Sequence, residues 1–269
     1  LMKCYYRDIK ELEQKLTFTN VEKTIKALRD KVYETMFDAE KTITYLELID
    51  PLNSVRQTVI QNYNSLYLGD IDNLIDKINI FKTHFAILDI RQNHDVHRDT
   101  VEAILKRENI IKNSIDELDE QELTDILMKQ NVDLNAREFD DDLMRDILQI
   151  IGRIPEIQEK NGEEGCNRYI ISNSEDIFSV LFVFAMMRWT CGKDQHFAVD
   201  IVPLFESMKG MDNSEQIMQK LFDIPEYRKH VERRGNKQTI MLGFSDGTKD
   251  GGYLRANWSI FKTKERLTG

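Results

Sequence analysis

Paired cysteine is the first thing this chain lacks. Its 269 residues hold three cysteines, Cys4, Cys166 and Cys191, far apart and without a C-x-x-C pair. That pattern argues against a disulfide framework or a zinc knuckle and for free thiols in a reducing compartment, for which the cytoplasm fits best. Excess positive charge is missing too: 37 Lys and Arg stand against 47 Asp and Glu, for a formal net charge of −10. The chain as a whole therefore offers no electrostatic surface to nucleic acid or to an anionic membrane. No apolar run is long enough for a membrane span, which needs roughly 20 residues. The longest, residues 177–187, reads as a helix buried on most sides. There is no G-x-S-x-G elbow, Walker loop or G-x-G-x-x-G fingerprint, and no low-complexity segment. His84, His94, His97, His196 and His230 show no H-x-x-x-H spacing and none adjoins a candidate nucleophile. They read as structural or solvent-facing, with His94 and His97 the two that fall near a possible site. No secretory leader is visible and Leu1 is not an initiator residue, so the chain is expected to be cut from something longer.

What is present is a composition of 41% apolar and 31% charged residues, enough for one large core or two modest ones. The first third reads as helical. Val21, Ile25, Leu28, Val32, Met36, Ala39, Ile43 and Leu46 lay one apolar stripe along a long helix, with Asn20 as its N-cap and Pro51 as its stop. Leu52, Val55, Val59, Tyr63 and Leu66 repeat the pattern, and Ile71, Leu74, Ile75 and Ile78 give a third segment. Three such helices pack as a layer over residues 1–84. A coiled-coil partner is the other reading of the stripe, which lasts only about four heptads.

Then the texture changes. Four short apolar runs, residues 85–90, 169–171, 198–205 and 239–244, each end in polar residues and lead into a helical segment. This is the rhythm of parallel buried strands in a βα repeat. The 77 residues from Arg91 to Arg168 exceed one crossover, so a helical insertion is expected at about 106–151, through Leu118, Leu123, Ile126, Leu127, Leu143, Ile147, Leu148 and Ile151. The predicted fold is α/β and predominantly helical: a helical N-terminal layer over 1–84, then a partial (β/α) TIM-type barrel of about four parallel strands over 85–269. The loop 159–167, EKNGEEGCN, is expected to be the most exposed stretch, and Arg233 and Arg234 a charged helix end.

Chemistry concentrates in residues 237–258, KQTIMLGFSDGTKDGGYLRANW: a strand over 239–243, a compact polar turn, two glycines, and a helix from Tyr253. Glu206 and Asp246 follow the third and fourth strands, so both carboxylates face one mouth of the barrel and suit Mg²⁺ or Mn²⁺, which want hard oxygen ligands. Taken alone, such an Asp is more often an N-cap, and such a Glu is usually solvated. Arg91, at the end of the first strand, offers a fork of donors to phosphate or carboxylate, or equally an ion pair to Asp89 or Asp200. Lys249 could attract an anionic co-substrate or be a solvated turn lysine.

The segment GFSDGTKDGG (243–252) after an apolar strand, with AILDIRQ (86–92) and VDIVPLFES (199–207), resembles the phosphoenolpyruvate carboxylase family. The resemblance covers most of 85–269, and residues 1–84 match only as a helical pattern. It implies that Glu206 and Asp246 are the metal-binding pair, that Arg91 contacts the phosphate-bearing substrate, and that Lys249 serves the bicarbonate or carbon dioxide side. The implied reaction joins bicarbonate to phosphoenolpyruvate through carboxyphosphate and an enolate of pyruvate, giving oxaloacetate and phosphate and feeding the tricarboxylic acid cycle. The chain departs from the family in lacking the upstream histidine-bearing loop and the downstream F-H-G-R-G-G-type loop, so it is expected to hold part of an active site and to be inactive by itself. Four strands make about half of an eight-stranded barrel, so the open side is expected to be covered, by a second copy in a homo-oligomer in preference to the helical insertion (106–151) and N-terminal helices folding over it. Two other readings stand beside this one: a non-catalytic helical interaction module on a barrel-derived scaffold, and another metal-dependent lyase acting on small phosphorylated acids.

Overall fold

The computed structural model describes residues 1–38, 40–132, 134, 139–191 and 197–268. The chain divides into two compact units, Leu1–Leu88 with Glu156–Cys166, and Asp89–Pro155 with Asn167–Gly269.

The first unit is built on four amphipathic helices, α1 (Met2–Lys15), α2 (Glu22–Phe37), α3 (Tyr45–Asn62) and α4 (Leu68–Phe81). Their stripes meet in one core that includes Ile9, Leu16, Val21, Val32, Leu52, Val59, Ile71 and Ile78, all buried. Helix α1 goes beyond the three helices expected, although Tyr5, Ile9, Leu12 and Leu16 carry the same spacing. The long helix expected from Val21 to Leu46 is two helices. Helix α2 ends at Phe37 because Asp38 is extended (φ −117°, ψ 109°). A new helix starts at Thr44, whose side chain accepts from the Glu47 N–H while the Glu47 carboxylate accepts from the Thr44 N–H, a capping box that satisfies two otherwise orphaned donors. Asn20 is left-handed (φ 71°) and Val21 takes the N-cap position. Pro51 lies inside α3 rather than stopping it. The helix forgoes one backbone bond there, and burial of Leu48, Ile49, Leu52 and Val55 on one face holds it. Ala39 of the expected stripe lies outside the described residues.

The loop 159–167 is far from uniformly exposed. Helix α7 (Asp142–Asn161) carries its first residues, a 3-10 turn spans Glu163–Gly165, and Gly165 and Cys166 are buried. Thr83 Oγ1 donates to the Asn161 carbonyl (2.6 Å), and Gln158 Nε2 to the Cys166 carbonyl (2.8 Å).

In the second unit, β1 (Asp89–Asn93), β2 (Arg168–Ser172), β3 (Asp200–Phe205) and β4 (Met241–Leu242) form one parallel sheet in the order β1-β2-β3-β4. Parallel strands laid down in sequence order, with helices in each connection, are the growth rule of a βα barrel, and the fold is a partial one. The first strand starts later than its apolar run suggests. Phe85 is left-handed (φ 67°), and Phe85, Ile87 and Leu88 are exposed, so pairing begins at Asp89. The register places Arg91 beside Ile170, Ile170 beside Val202, and Leu204 beside Met241. Ile170, Val202, Leu204 and Met241 pack together on that face.

Helices α5 (His94–Arg107), α6 (Glu120–Lys129) and most of α7 occupy the long first crossover. Helix α8 (Phe178–Cys191), buried from Ser179 to Met187, fills the second, as an apolar run that shows no polar face requires. Helices α9 (Met208–Asp223) and α10 (Pro225–Arg233) fill the third, and α11 (Ser245–Gly251) and α12 (Tyr253–Thr268) follow β4. Arg234 is more than a charged helix end: its Nε donates to Asp200 Oδ1 (2.6 Å). Arg168 pairs with Asp89 (3.6 Å). Among the described residues no helix is long and apolar enough to cross a membrane. The thiols are free, with Cys4 exposed, Cys166 buried and Cys191 between.

Candidate functional site at the carboxyl ends of the strands

Glu206 stands where β3 gives way to α9, and three contacts fix it. Gly243 N donates to the Phe205 carbonyl (2.9 Å), drawing the end of β4 against the residue before Glu206. Gly243 must be glycine for this approach, since a Cβ there would sit 2.4 Å from Glu206 Cβ. The Asn173 N–H, just past β2, donates to Glu206 Oε1 (2.9 Å). Immediately downstream, Ser207 caps α9 by accepting from Gly210 N (3.0 Å) and donates from Oγ to Glu175 Oε1 (2.6 Å). Burial would raise the Glu175 carboxyl, but the hydrogen bonds from Ser207 and Lys209 prevail and hold it below the usual range.

The turn expected after β4 is itself a short helix, α11, which carries Asp246 and Lys249 one turn apart. Lys249 Nζ donates to Asp246 Oδ1 (2.7 Å). That hydrogen bond is the main reason the Asp246 carboxyl lies below, and the Lys249 ammonium above, its ordinary value. Helix α11 packs against Glu206, since a Cβ at Gly247, next to Asp246, would lie 3.2 Å from the Glu206 carbonyl, and the Glu206 side chain acts on Asp246 and Lys249, lowering the one and raising the other. Asp246 is not an N-cap: Phe244 holds that position and α11 has no side-chain cap. At the far end Gly252 (φ 79°) turns the chain into α12 through a conformation that favours glycine.

Glu206, Asp246 and Lys249 therefore gather at one point. Arg91 spans the sheet to β4, its Nη2 donating to Met241 Sδ (3.5 Å). Asp89 and Asp200, the carboxylates considered for it, pair with Arg168 and Arg234 instead. The histidines take other roles. His97 is fully buried, with Nε2 2.8 Å from the Tyr169 hydroxyl. His94 stacks on Phe182, and His230 packs among Phe184, Phe197 and Tyr227. His84 leans over Gly165, and His196 lies outside the described residues. The residues that sequence reasoning passed over are Asn173, Glu175, Ser207 and Asp250. Asp250 sits inside the quoted GFSDGTKDGG segment, yet its partner is a backbone N–H that no motif displays.

Among the described residues no three His, Cys, Asp or Glu side chains converge as a metal cage. Two adjacent carboxylates, one half-buried and one exposed, still fit a hard divalent cation that completes its shell with water and substrate oxygens; they do not fit a closed zinc centre. A cavity of about 570 Å³ lined by Lys23, Leu28, Lys31, Glu47 and Pro51 belongs to the helical unit and contains none of these groups.

Residues 2–269 match the family model described as Phosphoenolpyruvate carboxylase. The match takes in the helical first third as well as the segments that bear Arg91, Glu206 and Asp246. The chain belongs to the phosphoenolpyruvate carboxylase family.

Proposed function

We propose that these residues form the metal-binding and substrate-holding part of a site that carboxylates phosphoenolpyruvate with bicarbonate, giving oxaloacetate and phosphate and so feeding the tricarboxylic acid cycle. The observation that carries the reading is the close packing of the turn bearing Asp246 against Glu206 past the ends of β3 and β4, with Lys249 hydrogen-bonded to Asp246. Glu206 and Asp246 would hold Mg²⁺ or Mn²⁺, which when bound supplies positive charge to oxygens that gain negative charge in the reaction. Arg91 presents a planar fork of donors suited to the phosphate or carboxylate of phosphoenolpyruvate, and both candidate internal carboxylates are engaged elsewhere. Lys249, hydrogen-bonded to Asp246, offers an ammonium to bicarbonate. Three free thiols suit a reducing compartment such as the cytoplasm.

The test is oxaloacetate formation by the full-length enzyme from phosphoenolpyruvate and bicarbonate, followed by coupling to malate dehydrogenase. Glu206→Ala and Asp246→Ala should each lower kcat by about 10³-fold or more, since a lost ligand of a catalytic metal removes several kcal/mol of transition-state stabilisation. Arg91→Lys should mainly raise the KM for phosphoenolpyruvate. Near-normal turnover of either alanine variant at saturating metal would remove that residue from the site.

A further inference from the structure

We infer that Asp250 is a positioning residue that sets the separation of the Glu206 and Asp246 carboxylates; the inference rests on their assignment as the metal pair. Asp246 and Asp250 are four residues apart on α11 and so share one face of it. Beside Asp246, a Cβ at Gly247 would lie 3.2 Å from the Glu206 carbonyl, while Asp250 Oδ2 accepts from the N–H of Met208, two residues beyond Glu206 (2.8 Å). One short helix thus packs against the backbone of Glu206 and also holds the backbone that follows it. The seat is tight: Gly251 lies so close to Met208 that a Cβ there would be 2.6 Å from Met208 Sδ. On its other side, Met208 Sδ receives the Ser259 hydroxyl of α12 (3.7 Å). The same turn of α9 is held from β2 by Glu175 through Ser207, so the backbone after Glu206 is tied on two sides and Asp250 supplies the tie that also carries Asp246.

Asp250 acts here as a hydrogen-bond acceptor, and its charge is incidental. Asparagine keeps an acceptor oxygen at the same reach and alanine does not. In the full-length enzyme, Asp250→Ala should weaken Mn²⁺ binding, read directly by electron paramagnetic resonance without substrate, and raise the Mg²⁺ concentration giving half-maximal rate, each by about 10- to 100-fold, the usual effect of losing a partner that orients a metal ligand. The KM for phosphoenolpyruvate at saturating Mg²⁺ should stay within about twofold, and Asp250→Asn should restore the wild-type Mg²⁺ requirement. Gly251→Ala, which changes no charge and pushes Met208 off its seat, should raise the Mg²⁺ requirement in the same direction; with Asp250→Asn it decides the matter should Asp250→Ala fail to fold. The inference is overturned if Asp250→Ala folds and keeps the wild-type Mg²⁺ requirement, if Asp250→Asn is as impaired as alanine, or if Gly251→Ala leaves the requirement unchanged. The assignment beneath it fails separately, through a Glu206→Ala enzyme that keeps its turnover.

Discussion

At the residue scale, His97 shows how burial outweighs sequence neighbourhood. Its side chain is pushed down to about 3 from 6.5, first by burial and then by His94, so it is neutral in the folded protein at ordinary pH. The sign follows from linkage. The unfolded chain takes up a proton below about pH 6.5 that the folded chain refuses, so stability is lost as pH falls from there towards about 3. His97→Gln removes this titration. Urea denaturation should show wild type losing about 2 kcal/mol more than the variant between about pH 7 and about pH 5; an equal loss in both would contradict the account. Glu206, Asp246, Lys249 and Arg91 were singled out through the resemblance of the segments that carry them, since taken alone each has an ordinary structural reading as a cap, a solvated group or an ion pair. Asp250, Glu175 and the His97–Tyr169 pair were not. Asp250 works through a main-chain N–H, Glu175 through a serine 32 residues away, and His97 through a hydroxyl 72 residues away, none of which a linear pattern displays.

At the element scale, the close approach of β3 and β4 depends on a missing side chain. In Gly243→Ala the added methyl meets Glu206 Cβ, so either β4 or the Glu206 carboxylate must move. Overpacking of this kind costs about 1–3 kcal/mol. Thermal melts and Mg²⁺ titrations of the same variant should show both a lower Tm and a higher metal requirement. A change in Tm alone would mean that β4 moves and leaves Glu206 in place. Strand and helix identity was readable here from hydrophobic period, and the boundaries were less so. The stripe through Val21 and Val32 runs on in register past Asp38 because α2 and α3 bury their faces in the same core, and periodicity does not register a break whose two sides share a core. Pro51 misled for a related reason: tertiary burial along α3 exceeds the loss of one backbone bond. In the first strand, the polar sequence DIRQN pairs and the apolar residues before it lie open, the reverse of what hydrophobicity suggests.

At the scale of the whole molecule, the groups gathered past the ends of the four-stranded sheet are open to solvent: Arg91, Asp246 and Lys249 are exposed and Glu206 is half-buried. Stabilising an enolate calls for a dry cavity in which fixed charges are not screened by water. Residues 1–269 alone are therefore expected to form no oxaloacetate above the uncatalysed background in the coupled assay, and measurable turnover by the purified 269-residue chain would show that these groups suffice. On the proposed reading, Glu206 and Asp246 together hold the divalent cation. The most direct measurement is electron paramagnetic resonance of Mn²⁺ titrated into the full-length enzyme and its Glu206→Ala, Asp246→Ala and Arg91→Lys variants. One bound Mn²⁺ per chain in wild type and Arg91→Lys, lost in both alanine variants, is the predicted result; undiminished Mn²⁺ binding in either alanine variant would contradict the account.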